Sequence, residues 1–268
     1  MKIALFGAAK PEACEQIKQI LAPLAGIEIV ESCSDLQSTD MALSIGGDGT
    51  FLRTAAKVGA AGIPILGINA GRLGFLTDMQ LAEASEILPK MLLEQQYVVD
   101  ERALLELTIP GCSQNYQHFA LNEVAVLKRD VSAMVSVSVY VDGTLLNQYD
   151  ADGLTIATPT GSTAYAMSAG GSILEPHCNC FELVPIAPHS LTTRPLVIRD
   201  SSTLEIRVAS RNNLFLVAID GTPLHLTTEY SLRISRAQHN VRVVRHPSHT
   251  FYDTLRQKLM WGADARNQ

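Results

Sequence analysis

The segment MALSIGGDGTFLRTAAKV, residues 41 to 58, leaves few folds open to this chain. A continuous apolar run, MALSI, meets three glycines at positions 46, 47 and 49, and a helical pattern through Leu52, Ala55, Ala56 and Val58 follows. An apolar run without alternation marks a strand buried on both faces, as in a parallel sheet covered by helices. Glycine at the joint admits positive φ and lets another group approach the backbone closely. The pattern recurs over the first hundred residues. KIALF reads as a first strand, residues 11–24 as a helix with Cys14, Ile17, Ile20 and Leu21 on one face, IEIV as a second strand, and IPILGI as the strand after the glycine-rich turn. A helix from Leu81 to Leu93 closes this part, bent or shortened by Pro89. Strands linked by helices predict an α/β unit with a Rossmann-like parallel sheet.

Beyond about residue 100 the period changes from helical to alternating. MVSVSVYVDGTLL sets Val135, Val137, Val139 and Val141 on one face, then runs into Asp142-Gly143, a hairpin signal. LFLVAIDGTPLHL repeats the device at Asp220-Gly221, and TLEIRVAS, YSLRISRA and NVRVVRH add further short strands. These predict an all-β sandwich over residues 99–248, after an α/β domain over 1–98. A last helix in 249–268, spaced through Phe251, Leu255 and Leu259 and stopping at Gly262, is expected to return to the first domain and complete it.

Charge narrows the partners. With 21 basic and 27 acidic residues the net charge is −6, so no broad positive field exists for nucleic acid or an anionic membrane, and an anionic ligand must be held locally. The apolar run at the N-terminus is too short for a signal-peptide core, and no stretch reaches the roughly 18 apolar residues of a membrane span. Five scattered cysteines are unlike a secreted disulfide framework and point to a reducing cytoplasm. Cys178 and Cys180, next to His177, lack the second ligand pair that zinc requires.

Two stretches carry chemistry. In GGDGT, residues 46 to 50, a helix start follows a strand of a parallel sheet, where free amides and the helix dipole favour an anion such as phosphate. Asp48 is repelled by such a ligand, so its presence implies that it binds a metal or removes a proton. Neither the P-loop lysine nor the G-x-G-x-x-G spacing is present. The second stretch, DADGLTIATPTGSTAYAMSAGG, residues 150 to 171, places Asp152, Thr160, Ser162, Thr163 and Tyr165 among glycines around an apolar strand. Its hydroxyls suit hydrogen bonds to sugar and amide groups, and Tyr165 is available to stack on a ring. Ser162 also stands where it would cap a following helix.

GGDGT at 46–50, GRLGFLTD at 71–78, NE at 122–123 and DGLTIATPTGSTAY at 152–165 together resemble the ATP-NAD kinase family of bacterial type, and PHSLTTRPLVI and FYDTLRQKLMWG are similar to its later segments. GGDGT alone is shared with diacylglycerol-type lipid kinases; the long second motif is far more specific. The resemblance implies phosphorylation of the adenosine-ribose 2′-hydroxyl of NAD, with ATP or polyphosphate as donor, to give NADP. It implies that Asp48 is the general base, that Gly46, Gly47 and Gly49 lend amides to phosphate, and that Thr50 and Arg53 join the nucleotide-binding set. Phe75 would sit beside the dinucleotide, Asn122 and Glu123 would hold its adenosine half, and Thr160, Thr163, Ala164 and Tyr165 would line the same NAD. Asp152 would contact the nicotinamide side, with Ala187 bordering that pocket and His189 outside the catalytic set. Mg²⁺ is the implied cation and a homo-oligomer, dimer or tetramer, the implied assembly. Many bacterial relatives carry a basic residue where this chain has Asp150, which leaves NAD against NADH preference open. A lipid kinase and a non-catalytic NADP(H)-binding sensor remain alternatives at this point.

Overall fold

Strand Met41–Gly46 is buried along its whole length, as an apolar run without alternation requires. The computed structural model describes residues 1–7, 9–30, 36, 38–71, 74–130 and 133–261. Cys33, the Arg72-Leu73 part of GRLGFLTD and the expected helix stop at Gly262 lie outside the described residues. The chain divides into two units, Met1–Glu101 with the segment from Asn240 onward, and Arg102–His239.

In the first unit, seven strands among the described residues form one sheet around Met41–Gly46. Lys2–Phe6 and Ile65–Asn69 flank it in parallel; Glu28–Val30 lies outside Lys2–Phe6, and Met79–Gln80 pairs Ile65–Asn69. Helix Pro11–Leu21 ends three residues earlier than its apolar pattern suggests, and Leu81–Leu93 resolves into a 3₁₀ turn, Leu81–Glu83, and a helix, Ala84–Leu93, that keeps Pro89 inside it. Ile17, Leu21, Leu88 and Met91 from these helices pack on Ile3, Leu43, Ile45 and Ile68. Helix Asp48–Val58 buries Phe51, Thr54, Ala55 and Val58; Ala56, expected on the core face, is exposed.

The strand within NVRVVRH corrects the sequence reading. Val241–Arg245 pairs in parallel with Ile65–Asn69 and sits between it and Val98–Arg102, so it belongs to the α/β sheet and not to the sandwich. Its alternation reads equally as a half-buried antiparallel strand, and only pairing distinguishes the two. Helix Phe251–Leu259 follows in the same unit, opened by a capping box between Thr250 and Asp253 and ended at Met260 in the left-handed conformation. The segment before that helix is latched by Asp78, whose carboxylate accepts the His246 amide and contacts His249 Nδ1 at 2.9 Å and Arg245 Nε at 3.6 Å.

The second unit holds two six-stranded sheets among the described residues, with antiparallel pairing throughout the recorded registers. Val135, Val137 and Val139 from one sheet meet Leu154, Ile156, Phe181 and Phe215 from the other in a single core. Asp142-Gly143 and Asp220-Gly221 are two-residue hairpin turns with positive φ at both positions, as the type I′ geometry demands. No helix among the described residues is long and apolar enough to cross a membrane.

Asp78 is 7% exposed, and removing its carboxylate leaves the His246 amide and His249 Nδ1 without their acceptor, while Arg245 keeps Asp100 at 3.1 Å. Asp78→Ala is expected to cost about 2 kcal/mol of stability, read by urea unfolding.

Candidate functional site

The first unit presents the GGDGT residues at the carboxyl end of its central strand. Gly47 is the N-cap of helix Asp48–Val58, and no side chain caps that helix, so its first amides keep their hydrogens free of side-chain acceptors. Gly46 has φ 154°, and a Cβ there would lie 2.4 Å from Thr50 Oγ1, because the threonine folds back over it. The same Oγ1 accepts a bond from Arg53 Nη2 at 3.2 Å. Gly46, Gly47, Asp48, Gly49, Thr50 and Arg53 therefore form one cluster, with Gly46 buried beneath it.

Asp48, the first helical residue, is bound by a different set of amides from those at its own helix start. Phe75 N donates to Oδ2 and Leu76 N to Oδ1, each at 3.0 Å. This grip depends on Gly74, since a Cβ there would stand 2.0 Å from Asp48 Oδ1. A fourth participant comes from the C-terminal helix: Lys258 Nζ lies 3.3 Å from Oδ2 and 4.4 Å from the centroid of the Phe75 ring. Phe75 thus joins the Asp48 cluster. Both carboxylate oxygens are held by an amide, yet the Asp48 side chain keeps 30% of its exposure and stays accessible.

Beside this cluster a cavity of about 480 Å³ opens between the end of strand Lys2–Phe6 and the second turn of the helix. Leu5, Phe6, Gly7 and Thr50 line it together with two cations, Arg53 and Lys57. In a chain of net charge −6, this is the local concentration of positive charge that an anionic ligand needs.

In the second unit Asn122 and Glu123 stand at the start of strand Glu123–Lys128. Asp220, in the hairpin turn, takes the amides of Leu121, Asn122 and Glu123 at 2.7, 2.8 and 3.0 Å and so fixes that start. The PTGST segment rides on the same backbone. Thr158 N donates to the Asn122 carbonyl at 2.9 Å, and Gly161 lies so close that a Cβ would stand 2.1 Å from that oxygen. Thr160 to Thr163 form a 3₁₀ turn and Tyr165 to Ser168 one helical turn. Ser162 caps neither; its Oγ donates to Pro159 O at 2.7 Å and accepts from Leu174 N at 2.9 Å, tying the turn to the chain that follows. Tyr165 is 41% exposed, whereas Thr160 is buried and Thr163 and Ala164 are half-buried.

Two orphaned atoms mark this cluster as incomplete. Asn122 Oδ1 and Glu123 Oε2 are buried without a hydrogen-bond partner, a condition that costs about 1–3 kcal/mol per group and that a ligand donor would relieve. Burial, then repulsion from Asp220, push the Glu123 carboxyl up to about 7, against the opposing Tyr165 backbone bond; burial likewise raises Asp220. Asp152 and Ala187 do not join this group. Register places Gly153 opposite Ile186 and Leu127, and Ala157 opposite Glu123, so Asp152 and Ala187 lie at the other end of strand Gly153–Ala157 from Glu123. Asp152 is paired with Lys128 at 2.7 Å, and Ala187 adopts φ 45°, a conformation costly for alanine. Asp150 accepts from Ser136 Oγ, and Lys128 is the cation paired with Asp152.

Sequence reading missed Gly74, Lys128, Asp220 and Lys258. Asp220 was visible only as a turn residue, and the others act through contacts that no local spacing records. A carboxyl whose folded value lies near 7 and whose ordinary value is 4.5 binds more protons in the native state, so its contribution makes stability fall as pH rises through that window, by about 3 kcal/mol. Glu123→Gln is therefore expected to gain melting temperature relative to the parent chain as pH rises from 5 to 8, and a pH-independent difference between the two would refute the raised carboxyl.

The family model for the ATP-NAD kinase N-terminal domain matches residues 10–97, and that for the ATP-NAD kinase C-terminal domain matches residues 121–246. The NAD kinase of Bacteroides fragilis is 49% identical over 227 residues, 85% of this chain and 78% of its own. That of Porphyromonas gingivalis is 47% identical over 228 residues, with the same coverage. An NAD kinase from Archaeoglobus fulgidus, solved in complex with ATP, superposes with a TM-score of 0.78 at 29% identity over 97% of this chain and 99% of that one. Yeast NADH kinase, solved with NADH, shares the fold, with a TM-score of 0.88 at 22% identity over 100% of this chain and 90% of that one. With its two halves matched in order, the GGDGT residues clustered in the first unit and the NE and TPTGSTAY residues in the second, the chain belongs to the ATP-NAD kinase family.

Proposed function

We propose that the chain is an NAD kinase, moving the terminal phosphoryl group of ATP to the adenosine-ribose 2′-hydroxyl of NAD and releasing NADP. The observation that carries this reading is the seat of Asp48: a carboxylate anchored through both oxygens and still partly exposed, at an uncapped helix start beside a cavity with two cations. Relatives at 47 and 49% identity bear the name of that activity.

The chemistry follows from the anchoring. Asp48 accepts the proton of the sugar hydroxyl as that oxygen bonds to phosphorus, while the bond from phosphorus to the donor's bridging oxygen breaks and its electron pair leaves with the diphosphate of ADP. The Phe75 and Leu76 amides stop the carboxylate from rotating, so little reorganisation accompanies the transfer. Gly46, Gly47 and Gly49 offer backbone to phosphate, and the cavity lined by Thr50, Arg53 and Lys57 takes the donor's charged tail. Asn122 and Glu123 bind the adenosine half through their unpaired oxygens, Thr160, Thr163, Ala164 and Tyr165 line it, and Asp152 and Ala187 meet the nicotinamide side.

Among the described residues no group of three or more His, Cys, Asp or Glu side chains is arranged to hold a metal ion. A divalent cation such as Mg²⁺, held by the donor's phosphates and water, would supply neutralisation of phosphate charge. The same reading sets the chain in the cytoplasm, in keeping with free thiols at Cys14, Cys112, Cys178 and Cys180. It also makes the chain a homo-oligomer built through the sandwich unit, where Leu145, Leu191 and Val197 are 56, 89 and 45% exposed; sedimentation is expected to show a dimer or tetramer.

NADP formation from NAD, ATP and Mg²⁺ tests the reading directly. A chain that makes none, yet binds NADP(H) tightly by calorimetry, is the sensor; one that phosphorylates diacylglycerol in micelles is the lipid kinase. Asp48→Asn is expected to bind NAD as before and to lose about 10²- to 10⁴-fold in kcat, and near-normal turnover removes Asp48 as the base.

A further inference from the structure

We propose that Lys258, on the C-terminal helix, is a positioning residue for phosphoryl transfer: its ammonium, seated between the Asp48 carboxylate and the Phe75 ring, holds the acid and the 74–76 loop in one working arrangement. The proposal deepens the kinase reading and rests on it for its kinetic arm.

Three observations converge on this side chain. Nζ is 3.3 Å from Asp48 Oδ2, the oxygen that also takes the Phe75 amide at 3.0 Å. It is also 4.4 Å from the Phe75 ring centroid, within the range of a cation–π contact. The ammonium thus touches both partners of the Phe75–Asp48 bond and closes a triangle whose other sides are a backbone hydrogen bond and the Phe75 side chain's own attachment. The helix that delivers it is itself fixed, by the Thr250–Asp253 capping box at one end and by buried Thr254 and Leu255 one turn before the lysine. An ordinary surface ion pair holds two mobile side chains and contributes little. Here one partner is already pinned by two amides, so the pair adds direction at small entropic cost.

Charge balance gives the arrangement a use during turnover. When the carboxylate takes the hydroxyl proton its negative charge passes to the acceptor oxygen and the migrating phosphoryl group. The ammonium, 3.3 Å from Asp48 Oδ2, keeps a positive charge beside the group from which that negative charge departs. Arginine keeps this charge on a longer fork; methionine keeps the stem and the apolar contact with Phe75 but loses the charge.

The test compares the full-length chain with Lys258→Met, Lys258→Arg and Lys258→Ala. Lys258→Met is expected to lose about 100-fold in kcat, the scale of one removed electrostatic contact, with the KM for NAD and the melting temperature little changed. Lys258→Arg is expected to recover most of that loss, and ethylamine added to Lys258→Ala to restore turnover in a saturable way. In the ligand-free proteins, hydrogen exchange at the Phe75 and Leu76 amides is expected to quicken in Lys258→Met and not in Lys258→Arg. A kcat for Lys258→Met within twofold of the parent, a loss that tracks the melting temperature, or unchanged exchange at those amides overturns the proposal. A parent chain that makes no NADP overturns the kinase reading instead, and the exchange measurement then decides the positioning role by itself.

Discussion

Everything in the α/β unit that bears on chemistry is arranged around one carboxylate bound to two peptide nitrogens of a distant loop. Phe75 and Leu76 lie 27 and 28 residues from Asp48, and the bonds at 3.0 Å exist only because Gly74 has no side chain to intrude. Those bonds convert a flexible acid at a helix start into a fixed one. They also couple the loop after Ile65–Asn69 to the turn after Met41–Gly46, neighbouring strands of the parallel sheet. In the sandwich unit Asp220 plays the corresponding part, gathering three successive amides so that Asn122 and Glu123 present unpaired oxygens in fixed positions. In both units a buried or half-buried aspartate serves as the clamp that shapes a short functional segment.

Local pattern in the sequence was sufficient wherever the determining physics is local. The unbroken apolar run before GGDGT, the alternating valines of 135–141 and the two Asp-Gly turns each state their structure within a dozen residues. The clustering of Gly46 to Arg53 follows from helical geometry alone. Failures occurred where the outcome depends on partners far along the chain. NVRVVRH alternates as a sandwich strand does, and only its neighbours at Ile65–Asn69 and Val98–Arg102 make it parallel. Ser162 has the right type and place for a cap, but Leu174 N and Pro159 O compete for it and win. Lys258 is 210 residues from Asp48, a separation at which no periodicity carries information.

The electrostatic economy of the chain is consistent with this division. Net charge is negative, and among the described residues Arg53 and Lys57 line one cavity, Lys258 faces the Asp48 carboxylate, and Lys128 pairs with Asp152 in the other unit. Each cation is matched to a particular acid or opening, which gives direction where a diffuse positive surface would give only adhesion.

Strand Val241–Arg245 lies between Ile65–Asn69 and Val98–Arg102, and that order has a temporal meaning. A ribosome releases the N-terminal hundred residues first, yet the sheet they begin has a gap until residue 245 has emerged. Vectorial synthesis therefore leaves the Ile65–Leu66 stretch without its late partner throughout the production of the intervening sandwich, which is free to fold as a continuous insert in the meantime. The late strand is then the closing stave, and the same stroke that inserts it brings in the helix bearing the lysine.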